Sequence, residues 1–114
     1  MKNVLWISRH ALTAEQTAGL ERFCGGSFSL RQWADNVETM EALAPLLAEA
    51  DVIAAVLPLQ LLAELVRFAG DKPVLIDVAK RELVHRDGQE PTVRFGHGGW
   101  HRIGRLELAL EPVE

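Results

Sequence analysis

The stretch DVIAAVLPLQLLAELVRFAGDKPVLIDVAK, residues 51–80, decides the fold class. Its first part, "DVIAAVLP" (51–58), is a continuous apolar run, the pattern of a strand covered on both faces. From Leu59 to Gly70 the spacing changes. Leu62, Leu65, Val66 and Ala69 recur along one side, which predicts an amphipathic helix. "KPVLIDVAK" (72–80) then returns to a buried strand. A strand, a helix and a second strand joined without a hairpin turn make a crossover unit, and crossover units pair their strands in parallel.

The same alternation extends toward the amino terminus. "NVLWIS" (3–8) reads as another central strand. "TAEQ" (13–16) offers a capping box, with Thr13 as N-cap and Gln16 three residues on, and opens a helix to about Phe23. Leu20, Phe23 and Cys24 give that helix an apolar face, and Gly25 supplies its left-handed cap. "SFSLRQW" (27–33) is a weaker, alternating strand suited to a sheet edge. Between Val37 and Ala50 the helical positions are Val37, Met40, Leu43 or Ala44, and Leu47; Pro45 either kinks this helix or begins a second one.

Beyond Lys80 the pattern differs. "ELVHRDGQEPTVRFGH" (82–97) predicts a C-terminal β-hairpin with Asp87-Gly88 at its turn, and "GRLELAL" (104–110) alternates like one further strand. The expected architecture is a three-layer α/β domain with a mainly parallel central sheet and helices on both faces. No repeat or linker interrupts residues 1–114, which read as a single domain.

Composition narrows the classes of function. A hydrophobic content of 48% and a charged content of 25% are those of an ordinary globular protein. A net charge of −4 argues against coating duplex nucleic acid through a broad basic face, while leaving room for a local basic pocket. The lone Cys24 cannot form an internal disulfide and reads as a core filler. The first strand carries charge and no cleavage site, so no secretory signal is expected. No apolar run reaches the ~18 residues of a membrane span. The chain is expected to be cytoplasmic, with no membrane partner.

In an open parallel sheet, ligands bind beyond the carboxyl ends of the strands. There the sequence places Ser8, Arg9, His10 and the helix start at Thr13 after the first strand; Pro58 and Gln60 after the third; and Lys80, Arg81 and Glu82 after the fourth. The hairpin adds His85, Arg86, Arg94, His97 and Trp100. Cations and imidazoles thus gather at one end of an acidic protein, as a site for an anion requires. Asp77, inside a strand, is expected to anchor a neighbouring loop. The histidines at 10, 85, 97 and 101 follow no ligand pattern, so no metal site is expected. No Gly-rich nucleotide loop follows the first strand, and no cofactor is expected.

The motifs "LWISRHALTAEQ", "LRQWADNV", "KRE" and "FGHGGW", in that order, resemble the small CRISPR-associated ring nucleases and their phage-encoded relatives. The resemblance spans almost the whole chain, each motif being short. It implies a Rossmann-like fold of the CARF (CRISPR-associated Rossmann fold) kind. It also implies binding of a cyclic oligoadenylate, most simply cyclic tetra-adenylate, by a homodimer, and ring cleavage that switches off type III CRISPR signalling. Under it Ser8, His10, Lys80 and Arg81 would be catalytic, and Arg9, Thr13, Gln16, Gln60, His97 and Trp100 would contact the ligand. The chemistry needs no metal: a ribose 2′-hydroxyl attacks its own phosphodiester in line while cations stabilise the developing charge. Arg81 would grip phosphate in bidentate fashion, His10 would move a proton, and Trp100 would stack on adenine. Two copies of the chain would double the cations available to a ring of several phosphates, and binding across a two-fold axis would match the symmetry of an even-numbered ring. The apolar third helix, "LQLLAELVRF", and the alternating "GRLELAL" are the candidate contact surfaces, and each could equally belong to the core.

Two other readings compete. "RHA" and "HGG" are similar to the histidine phosphatases, in which His10 would be phosphorylated and His97 would assist. Those enzymes are longer chains, and their second histidine begins a helix. A non-catalytic module that senses or sequesters a cyclic nucleotide would use the same residue types without turnover.

Overall fold

The computed structural model describes residues 1–84 and 92–103, with the side chains of 79–84 and 92–97 outside that description. Its core is built from β1 (Lys2–Ile7), α1 (Ala14–Cys24), β2 (Phe28–Trp33), a 3-10 turn (Met40–Leu43), α2 (Ala44–Glu49), β3 (Val52–Ala55), α3 (Leu59–Ala69), β4 (Val74–Val84) and β5 (Thr92–Arg102). The five strands form one sheet in the order β2-β1-β3-β4-β5. The pairs β1–β2, β1–β3 and β3–β4 are parallel, and β4–β5 is antiparallel. The expected α/β class and mainly parallel sheet therefore hold, with the weak second strand at the edge.

Strand pleating divides the core into two layers. Leu5, Ile7, Ile53, Ala55 and Val74 turn to one face and pack with Met40, Leu43, Leu47, Leu62, Leu65 and Ala69 of the 3-10 turn, α2 and α3. Val4, Trp6, Val52, Ala54 and Leu75 turn to the other, against Leu20 of α1 and the partly buried Leu12, Cys24, Phe28 and Trp100. The continuous apolar runs of β1 and β3 are explained by this double cover. The apolar stripe of α3 faces the core, with Leu62, Leu65 and Ala69 buried, while Leu59 and Phe68 of the same helix remain exposed.

The helix signals operate as their chemistry dictates. The Thr13 hydroxyl accepts the Gln16 backbone N–H at 3.1 Å, and the Gln16 side-chain oxygen accepts the Thr13 N–H at 2.9 Å. Gly25, at φ 78°, closes α1 in the left-handed conformation. Pro45 begins α2, where its missing N–H costs nothing, directly after the 3-10 turn.

One expectation is corrected. The fourth strand does not end at Lys80: β4 runs on to Val84. Its partner β3 stops at Ala55, and Ala54 already faces Leu75, so the far half of β4 pairs with β5 alone. The strand expected over 72–80 thus extends into the 82–97 stretch expected to form a hairpin, and the end of that stretch belongs to β5. A polar "AKRE" stretch suits this one-sided antiparallel pairing with β5 better than a place in the middle of the parallel sheet. The Asp87-Gly88 turn, His85, Arg86 and "GRLELAL" lie outside the described residues. No helix among the described residues is long and apolar enough to cross a membrane.

Candidate functional site

Chain order reverses between β1 and β3: the connection from β1 goes outward to β2, whereas β3 continues to β4 on the other side. Loops leaving adjacent strands in opposite directions leave a crevice at their carboxyl ends. Here the crevice is a cleft of about 400 Å³ lined by Ile7, Ser8, Arg9, His10, Asp35, Asn36, Val37, Val56, Leu57, Pro58 and Leu61. Its walls are apolar from Val37, α3 and the β3 loop, and polar from Ser8, Arg9 and His10 after β1 and Asp35 and Asn36 after β2. A cleft of about 270 Å³ toward the amino ends of β1 and β2, bordered by Asn3, Ser29, Arg31 and Glu49, lies at the wrong end of the sheet. Its one cation, Arg31, is already paired with Glu49 at 3.1 Å.

The loop carrying Ser8, Arg9 and His10 is held from below. Ser8 is buried, its N–H donating to the Trp33 carbonyl at 3.1 Å. Its hydroxyl accepts the His10 backbone N–H at 3.1 Å. The His10 carbonyl accepts two donors, the Trp6 indole at 2.8 Å and the Gln32 amide at 3.0 Å. Gln32 also donates to the Ser8 carbonyl at 2.8 Å. With its backbone fixed on both sides, the exposed His10 side chain is presented from a rigid mount. The Arg9 guanidinium is exposed and donates to the Asn36 side-chain oxygen, which ties the β1 loop to the β2 loop across the cleft mouth.

The remaining candidates fall elsewhere. Thr13 and Gln16 do not line the cleft; they cap α1, and the Gln16 amide also donates to Asp77 Oδ2 at 2.9 Å. Asp77 thus anchors the start of α1 to β4. Gln60 is exposed in the first turn of α3, beside but not among the cleft-lining residues. Trp100 packs edge-on against Trp6, with ring centroids 5.7 Å apart and planes at 89°. Its indole donates to the Gln16 carbonyl at 2.9 Å. This places Trp100 in the layer beneath α1 rather than on the cleft wall. Lys80 and Arg81 stand at β5 register positions Gly96 and Phe95, and His97 opposite Ala79. Lys80 lies roughly 16 Å along the strand from Leu75, at ~3.3 Å per residue, on the carboxyl side of the sheet. Only their backbones belong to the described residues.

The structure adds Asp35 and Asn36, which sequence reading missed. The only signal was their place after the second strand, within "LRQWADNV". Cys24 is partly buried, and that burial pushes its thiol pKa up, with nearby Asp51 adding to the effect and Lys2 opposing it. A thiol held protonated is a poor nucleophile, in keeping with a packing role. Among the described residues no group of three or more His, Cys, Asp or Glu side chains is placed to hold a metal. Comparison of the chain with protein-family models, with curated proteins and with solved structures finds no match.

Proposed function

We propose that the chain is a CARF-like ring nuclease that binds cyclic oligoadenylate in the carboxyl-edge cleft and opens the ring without metal. The observation that carries this reading is the meeting of Arg9, His10 and Asn36 in a cleft of about 400 Å³ at the point where strand order reverses. Its apolar side suits a base and its polar side a phosphodiester. In the reaction the 2′-oxygen forms a bond to phosphorus as the bond to the 5′-oxygen breaks. The hydroxyl proton passes to water, and His10 supplies the proton that the departing 5′-oxygen needs. The products carry a 2′,3′-cyclic phosphate and a 5′-hydroxyl. Arg9 stabilises the charge gathering on phosphorus, its fork matching two phosphate oxygens. A homodimer would bring two such clefts to one ring, with Lys80 and Arg81 of the extended β4 adding cations from each copy.

Binding without turnover is the second reading, and one observation favours it: Arg9 is the one cation among the described cleft-lining residues, and Asn36 already engages it. Incubation of the protein with cyclic tri-, tetra- and hexa-adenylate in EDTA, followed by chromatography, separates the two. Linear products ending in a 2′,3′-cyclic phosphate are expected. An intact ring that co-elutes with the protein would establish the binding module instead. The position of His97 within β5, and not at a helix start, weighs against the phosphatase reading.

A further inference from the structure

Asp35 is an exposed carboxylate that lines the cleft, one residue from the Asn36 that holds Arg9. Arg9 donates to the neutral Asn36 amide rather than to this carboxylate, and Asp35 makes no hydrogen bond or ion pair among the described residues. A free carboxylate is a poor choice for a site built to take bare phosphate, because it repels the ligand and cancels the charge of Arg9. It suits a ligand that offers a neutral donor beside its phosphate. In a nucleotide the 2′-hydroxyl is that donor, next to the phosphodiester, whereas the adenine amino group lies at the far end of the molecule.

We propose that Asp35 is the acceptor for a ribose 2′-hydroxyl in this cleft and makes the site selective for ribonucleotides over deoxyribonucleotides. This rests on the nucleotide-binding reading above. Arg9 takes the phosphate, Asp35 the adjoining hydroxyl, and the apolar wall of Val37, Leu57 and Leu61 the base. A hydrogen bond to an ionised group discriminates by about tenfold to a hundredfold.

The test is titration of cyclic tetra-adenylate and its all-2′-deoxy counterpart in a His10→Ala background, so that no ring opens during measurement. The ribose ring is expected to bind about tenfold to a hundredfold more tightly. Adding Asp35→Ala should weaken the ribose ring to the level of the deoxy ring and leave the deoxy ring unchanged or slightly tighter. Asp35→Asn, which keeps shape and an acceptor oxygen, should retain part of the preference. Equal weakening of both rings by Asp35→Ala, or tight binding of both rings with no preference, would overturn the role of Asp35 while leaving the cleft a nucleotide site. A preference for adenine over hypoxanthine rings that Asp35→Ala abolishes would overturn it in favour of base recognition. Failure of both rings to bind would remove the nucleotide reading itself, and this proposal with it.

Discussion

Changing His10 to alanine is expected to slow ring opening by about 10²–10⁴-fold, the usual worth of a positioned acid or base, while ring affinity changes little. The His10 backbone is fixed by Trp6, Gln32 and Ser8 independently of its side chain, so the substitution leaves the loop in place. The loss should therefore fall on kcat rather than on KM. A His10→Ala protein that opens the ring at the parent rate would show that His10 does not handle the proton. Trapping of a phosphohistidine at residue 10 on denaturation would point to phosphoryl transfer instead.

The second large effect is on stability. Trp100→Ala is expected to cost about 3 kcal/mol, the lower end for a large aromatic side chain because Trp100 is only partly buried. That is a large share of the 5–15 kcal/mol typical of a domain, and should lower Tm by roughly 10–20 °C. The reason lies in how the indole is seated. A Cβ at Gly19 would come within 2.8 Å of Trp100 Cδ1, so the mid-helix glycine in α1 makes room for the ring. The ring also meets Trp6, whose own indole supports the His10 carbonyl, so loss of Trp100 should loosen the cleft loop as well. Were Trp100 an adenine shelf, the same substitution would weaken ring binding and leave Tm within about 2 °C of the parent; thermal unfolding decides between the two.

The residues whose local chemistry is self-sufficient were legible in the sequence. The apolar runs of β1 and β3, the Thr13–Gln16 capping box, the Gly25 cap and the position of Pro45 each act within a few residues, and each reappears where its pattern placed it. The continuation of β4 was not legible, because "AKRELV" has neither the unbroken apolarity of a buried strand nor a clean alternation. The partnership of Gln16 with Asp77 spans 61 positions and depends on which strand α1 packs beside, which no local pattern encodes. The seat of Trp100 was not legible for the same reason: a shelf for a base and a ring packed beneath a helix look alike until the register sets it opposite Asp77, beneath α1. Within the site, Ser8, Arg9 and His10 stood out because an apolar run stops on them. Asp35 and Asn36 follow an edge strand with no comparable contrast, and only strand order brings them to the same cleft.

The central claim is that ligand enters the cleft between the loops after β1, β2 and β3. Amide chemical shifts of the labelled protein, recorded as cyclic tetra-adenylate is added, test it most directly. The largest changes are expected at Ser8, Arg9 and His10, at Asp35, Asn36 and Val37, and at Val56 and Leu57. Changes centred on Asn3, Ser29, Arg31 and Glu49, at the other end of the sheet, or no changes at saturating ring, would contradict it.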